Sequence, residues 1–300
     1  MSVVVLAGGT GGAKLARGML DLVGDDLVVI ANTGDDIEIY GAYVSPDPDL
    51  VTLWLADLID ERGWGIEGDT FAVMDGLREL GVDVWFNLGD RDLAIGVERA
   101  RRLNEGARLT EAHAAIATAL GVRARVLPMS DRPVRTWVRA GGRLWPFQEF
   151  MIRAGGQGPI EDVDLRGVRS ASPTDEMLDA IADATAIVIG PSNPVVSIGP
   201  ILELAGVRDA LSSSAAPVVA VSPFVHGAVL KGPTIEFMAF SGMPPDAEGI
   251  AIAYDGVIDG LVADERTDRI PVLETDVLMA DADGRRHLAE QALGFAHALR

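Results

Sequence analysis

The stretch that most constrains this chain is its start. Val3-Val4-Val5-Leu6 runs into Ala7-Gly8-Gly9-Thr10-Gly11-Gly12-Ala13-Lys14, and a helical pattern carrying Leu15, Met19 and Leu20 follows. A strand that opens onto glycines and then a helix belongs in an α/β sheet. Glycines there let the backbone take φ > 0 and approach a ligand, the helix N-terminus offers free N–H groups to an anion, and Lys14 adds a charge. The stretch reads as a phosphate cradle, yet two templates fit it badly. A Walker A loop would need glycine at 13 and Ser or Thr at 15, where Ala13 and Leu15 stand. The dinucleotide pattern starts at Gly9 and Gly11 but meets Lys14 at its last glycine. Read alone, the loop fits either a nucleotide or phosphate site, or a strand–helix turn that merely needs glycine.

Composition narrows the partners. With 25 basic and 45 acidic residues the net charge is −20, so the average surface should repel nucleic acid and anionic membrane. An anionic substrate then needs a local basic pocket or a metal. The absence of cysteine excludes disulfides and thiolate metal sites. No charged segment precedes an apolar one at the start, and no apolar run reaches about 18 residues. A cytoplasmic, soluble protein is the expectation.

The order of apolar runs and turns predicts a Rossmann-like, doubly wound, mostly parallel α/β sheet in one domain over residues 1–300. A small inserted α/β-hairpin lid region is expected at about 130–160. The second strand, Leu27 to Ala31, ends in Asn32-Thr33-Gly34-Asp35-Asp36. Ligands of open α/β sheets sit beyond the carboxyl ends of strands, so these acids should lie near the first loop. Pro46-Asp47-Pro48-Asp49 follows, the prolines keeping Asp47 extended and Asp49 standing where a helix N-cap would be. Asp35, Asp36 and Asp49 each admit a bland reading as turn or cap residues. Yet four carboxylates within fifteen positions, around two loops at one sheet end, are also what Mg²⁺ requires.

A short strand from Val84 to Leu88 should lead into Gly89-Asp90-Arg91-Asp92, where Arg91 could clamp a phosphate or sit in a solvated turn. Helices are expected at Leu93–Leu103 and Thr110–Leu120. Thr136 to Phe147 reads as a hairpin around Ala140-Gly141-Gly142. Its aromatics, Trp137, Trp145 and Phe147 with Phe150 nearby, form either a satellite core or a lid for a planar ring. The strand at Ala186–Gly190 ends in Pro191-Ser192-Asn193-Pro194, whose side chains can read a base edge or a phosphate. His113, His287 and His297 lie on helical stretches without ligand spacing, and His226 on a strand-end loop. No G-x-S-x-G nucleophile elbow is present.

Taken together, Leu6 to Lys14, Asn32 to Asp36, Pro46 to Asp49, Arg62-Gly63-Trp64-Gly65, Leu88 to Ala94, Phe147-Gln148-Glu149, Gly190 to Pro194 with Ser197 to Leu202, and Lys231-Gly232-Pro233 appear in order. That set resembles the 2-phospho-L-lactate transferase family (CofD in archaea, FbiA in actinobacteria) of coenzyme F-420 biosynthesis. The match spans about residues 3 to 235. The resemblance implies Mg²⁺-dependent transfer of a phospholactate or phosphoenolpyruvyl group from a GDP-linked donor to the ribityl hydroxyl of the deazaflavin Fo, with GMP leaving. It further implies small-molecule partners and a homodimer.

By the same resemblance Gly8, Gly9, Thr10, Gly11, Gly12 and Lys14 hold the donor's phosphates, and Ser192 and Asn193 its guanosine. Asp35 and Asp49 bind Mg²⁺, Asp49 also lies where the family positions Fo, and Arg91 contacts acceptor or transferred phosphate. Asp36 or Asp90 is the general base. Two departures stand out. Family members continue the fifth motif as Ala-Thr-His, where this chain has Ala94-Ile95-Gly96, and Pro48 replaces the usual leucine of the acidic loop. A YvcK-type nucleotide-sugar-binding regulator is the rival, because it shares the glycine loop and an acid-rich second loop. A nicotinamide dehydrogenase is disfavoured by the missing third glycine.

Overall fold

Seven parallel strands lie side by side in the order Val272–Glu274, Gly260–Ala263, Val218–Val221, Ala184–Ile189, Ser2–Ala7, Leu27–Ala31 and Arg125–Pro128 in the computed structural model, which describes residues 2–299. The inner strands read as near-continuous Val, Ile, Leu and Ala because helices cover both of their faces. One apolar layer gathers Val4, Leu6, Ile30, Ile187 and Ile189, and the other gathers Val3, Val5, Val29 and Val188, so alternate residues feed opposite cores. The fold is the expected Rossmann-like α/β class.

Chain order sets where a ligand can sit. From Ser2–Ala7 the chain adds Leu27–Ala31 and then Arg125–Pro128 on one side. It then crosses to place Ala184–Ile189 on the other. The winding reverses between Ser2–Ala7 and Ala184–Ile189, and the loops that follow them, Gly8–Gly12 and Gly190–Asn193, flank the crevice at this switch point.

Several local expectations hold. The helices Asp90–Asn104 and Leu109–Ala119 form, as does the hairpin Arg135–Ala140 with Arg143–Pro146. Three do not. Val84 to Leu88 is not a strand, because Val84 and Phe86 pack with Met74 and Leu93 in a satellite cluster and pair with no neighbour. The helix after the acidic loop starts at Pro46 with Ser45 as its N-cap. Asp49 is therefore not the cap, and Asp47 is not extended. Both prolines fall in the first turn, where a missing N–H costs nothing and a fixed φ suits the helix. The hairpin also gains an unforeseen third strand, Ile160–Arg166, and a helix, Phe147–Arg153. The charged strand sequence hid the first of these, since its exposed face is acidic.

Candidate functional site

A cavity of about 340 Å³ opens at the switch point between the glycine loop, the Pro191–Ser197 loop and the segment from Ser222 to Thr234. Its size falls within the range of small-molecule sites. The helix that begins at Gly9 runs fifteen residues to Val23, and its N-cap, Gly8, makes no side-chain cap bond. The N-terminal dipole end of that helix thus meets the cavity uncapped by a side chain.

The glycines answer to two demands. Gly9 has φ +65, a conformation side chains resist. A Cβ on Gly11 would fall 2.1 Å from the Pro191 carbonyl oxygen, so even alanine requires the two loops to part. Ser192 Oγ donates to the Gly8 carbonyl and Asn193 Oδ1 accepts from Val195 N–H at 2.9 Å. Ser192 and Asn193 line the cavity and also fasten its wall.

Charge in the cavity is unevenly paired. Lys14 Nζ donates to the Met279 carbonyl at 3.1 Å and lies 5.8 Å from the Trp54 ring centroid. Burial, then the charges of Lys231 and Arg285, lower its pKa. Asp35 and Asp47 are buried in the cavity wall. Asp47 accepts from Gly9 N–H at 2.6 Å and Asn32 Nδ2 at 2.9 Å, and burial pushes it up to about 6. Asp35 Oδ1 is buried without a hydrogen-bond partner, and burial with the Asp47 charge pushes the group well above the usual carboxylate range. Two desolvated carboxylates with no cation in contact are costly unless something positive joins them.

Asp36 and Asp49 lie nearby but are already engaged. Asp36 accepts from Ser45 Oγ at 2.7 Å and from Tyr43 Oη at 3.0 Å, and Tyr43 in turn accepts from Arg135 at 3.1 Å. Burial pushes Asp36 up to about 7 against these bonds and the Arg135 charge. Asp49 is gripped by Arg99, with Nη1 at 3.0 Å from Oδ2 and Nη2 on Oδ1. Arg99 is fully buried and also donates to the Tyr43 carbonyl at 2.8 Å. Asp49 does not line the cavity.

Asp90 and Arg91 lie elsewhere. Asp90 accepts from Thr70 Oγ1 at 2.5 Å and from the N–H groups of Ala72 and Val73, fixing the start of the helix Ala72–Glu79. These bonds lower its pKa. Arg91 donates to the Glu67 carbonyl at 3.2 Å and borders a second groove of about 320 Å³ with Leu58, Ile95 and Ile116.

Of the hairpin aromatics, only Phe147 lines the cavity. It packs 6.4 Å from Phe237, which meets Phe150 edge-on at 6.1 Å in a satellite core. Trp137 and Trp145 are instead covered by arginines, Arg166 at 3.9 Å and Arg143 at 3.6 Å. Asp47, Lys231 and the Met279 carbonyl join the cavity without having been singled out as site residues. Among the described residues no group of three or more His, Cys, Asp or Glu side chains is placed to hold a metal, and no helix is long and apolar enough to cross a membrane.

Comparison with known proteins adds to this geometry. The family model "2-phospho-L-lactate transferase CofD" matches residues 3–287. A 2-phospho-L-lactate transferase of Methanosarcina mazei is 37% identical, over 96% of this chain and 98% of its own. A phosphoenolpyruvate transferase of Kitasatospora aureofaciens is 38% identical, over 100% of this chain and 99% of its own. Among solved structures, a upf0052 family protein of Bacillus halodurans superimposes with a TM-score of 0.63 at 18% identity, covering 97% of this chain and 98% of that one. That last likeness concerns the fold.

Proposed function

The chain belongs to the 2-phospho-L-lactate transferase CofD family and is a transferase of that family, and from this premise we propose which groups it joins and how. The donor is a three-carbon phospho-acid, lactyl or enolpyruvyl, linked through a diphosphate to guanosine. The acceptor is the ribityl hydroxyl of the deazaflavin Fo. The hydroxyl oxygen attacks the phosphorus that carries the acid, the bridging P–O bond to the second phosphate breaks, and GMP leaves. The hydroxyl proton passes to a carboxylate.

The observation that carries this reading is the pairing, in one switch-point cavity, of an uncapped helix N-terminus and Lys14 with a bare Asp35 carboxylate. Gly8 to Gly12 and Lys14 would hold the phosphates, and Ser192 and Asn193 would border the guanosine. The orphaned Asp35 oxygen fits a divalent cation. Asp35 and Asp47 would hold Mg²⁺, which typically takes one or two carboxylates and completes its shell with substrate phosphates and water. Bound there, Mg²⁺ would neutralise charge on the diphosphate. Asp49, engaged by Arg99, would hold the first turn of the helix Pro46–Leu55, and with it Asp47, in register. For the proton, Asp36 at about 7 suits acceptance near neutral pH better than Asp90, whose hydrogen bonds favour its ionised form. Transfer then rests mainly on positioning and charge neutralisation.

The test is to incubate the protein with Fo, Mg²⁺, GTP and a donor-forming guanylyltransferase, supplying phospholactate in one tube and phosphoenolpyruvate in another. A phosphodiester of Fo by mass spectrometry in either tube is the expected result and names the donor. No product in either tube, with tight nucleotide-sugar binding, would overturn the reading in favour of a regulator. A homodimer is part of the proposal, tested by light scattering.

A further inference from the structure

Lys231 stands in the cavity wall but is not spent there. Its Nζ donates to the Arg62 carbonyl at 3.0 Å and lies 4.1 Å from the centroid of the Trp64 ring. Among the described residues it forms no ion pair, although the chain has 45 acidic residues to offer. Its charge contributes to lowering the Lys14 pKa, so the two amines share one electrostatic neighbourhood.

The two sides of this contact are built differently. The Trp64 side is fastened, because Asp60 accepts from Arg62 N–H at 3.0 Å, Arg62 Nε at 2.7 Å and Gly63 N–H at 3.1 Å. Trp64 itself is 54% exposed, so its ring is a shelf and not a core residue. Lys231 comes from a short hairpin, Phe224–Val225 with Ala228–Val229, flanked by Gly227 at φ +73 and Gly232 at φ +78. Leu230 beside it is 62% exposed, so little packing holds that arm. An ammonium on an exposed ring and one carbonyl is weakly held, whereas a charge-assisted bond to phosphate is stronger than either contact.

We propose that Lys231 is a second phosphate-binding cation of this cavity, kept ready on the Trp64 ring and drawn off it onto the diphosphate of a bound nucleoside diphosphate. This rests on the nucleotide-donor reading above and adds the residue that answers ligand entry. Lys14 supplies a fixed charge at the helix N-terminus. Lys231 supplies a mobile one from the opposite end of the sequence, and Trp64 loses its cation when the ligand arrives.

GDP is the probe, titrated in EDTA and followed by calorimetry and tryptophan emission in the wild type, Lys231→Ala, Lys231→Arg and Trp64→Phe. In the wild type GDP should change an emission component that is missing in Trp64→Phe. Lys231→Ala should bind roughly 10-fold more weakly and show no such change, and Lys231→Arg should keep both. Trp64→Phe should bind GDP at least as tightly as the wild type, because the weaker ring competes less for the ammonium. Wild-type affinity in Lys231→Ala would overturn the role of Lys231 while leaving the nucleotide reading intact. A natively folded wild type that binds no GDP would overturn the nucleotide reading and this inference together.

Discussion

Asp47 and Asp49 sit two residues apart in the first turn of one helix, both buried, yet they belong to different kinds of site. Asp49 meets the bidentate guanidinium of Arg99, with His113 Nδ1 4.0 Å away. Asp47 has only an amide and a backbone N–H, and the nearby Asp35 has a bare oxygen facing the cavity. The lesson is that burial alone does not mark function. A buried carboxylate that already has its cation is structural, whereas one that lacks it asks for a ligand to supply it.

The sharpest way to break this contrast is Arg99→Met. It strands Asp49 as an uncompensated buried charge and should cost about 3–5 kcal/mol in urea unfolding at pH 7. A loss near zero would mean that the paired half of the contrast is not structural. Asp49→Ala should be costly for the converse reason, since it leaves the fully buried Arg99 without its carboxylate.

Asp35→Asn is the counterpart. Transfer should fall by roughly 10²–10³-fold, the scale of losing one preorganised charge at a reacting centre. The urea midpoint should stay level or rise, because a desolvated charge has been removed. A large loss of stability would place Asp35 with Asp49.

A smaller effect comes from His113. The Thr52 hydroxyl donates to the Pro48 carbonyl at 2.9 Å, so it accepts from His113 Nε2 at 3.0 Å and leaves Nδ1 bare. Burial and the Arg99 charge pull the imidazole down to about 3 from 6.5. The folded state therefore refuses a proton that the unfolded chain takes up, and stability is lost as pH falls from about 6.5 toward about 3. At pH 5 that loss is about 2 kcal/mol relative to pH 7. His113→Gln should flatten this part of the pH profile in urea unfolding. An unchanged slope would show that the imidazole is not buried neutral.

The smallest effect expected is that of Arg91→Ala on nucleotide binding. Arg91 borders the second groove and not the glycine-loop cavity, so GDP affinity should change by less than about 2-fold, the level of a surface substitution. A tenfold loss by calorimetry would join the two grooves into one site.

The architecture was legible because its signals are local. Val3–Leu6, Leu27–Ala31 and Val218–Val221 are apolar runs ending in glycine, serine or asparagine, and each is a central strand as read. Ile160–Arg166 was not legible, since IEDVDLR alternates with charged residues and is held by pairing to Arg135–Ala140, a contact no window of sequence contains. The glycine loop and the four clustered aspartates were visible for the same local reason. Which aspartate is free was not, because that depends on Arg99, fifty positions away from Asp49. Arg99 resembles Arg101 and Arg102, which are exposed or nearly so on the same helix. Only its spacing from Leu93 and Gly96, three residues apiece along the buried face, separated it from them. Lys231 escaped because a lysine in a glycine-rich loop carries no periodicity at all.

The central claim is that Asp35 and Asp47 are left unpaired so that a divalent cation can join them to the donor's phosphates. Calorimetric titration of GDP with and without Mg²⁺, in the wild type and in Asp35→Asn, tests it most directly. Mg²⁺ should tighten GDP binding in the wild type and do so far less in Asp35→Asn, with metal-free affinity the same or better in the variant. Equal tightening by Mg²⁺ in both proteins would contradict the account.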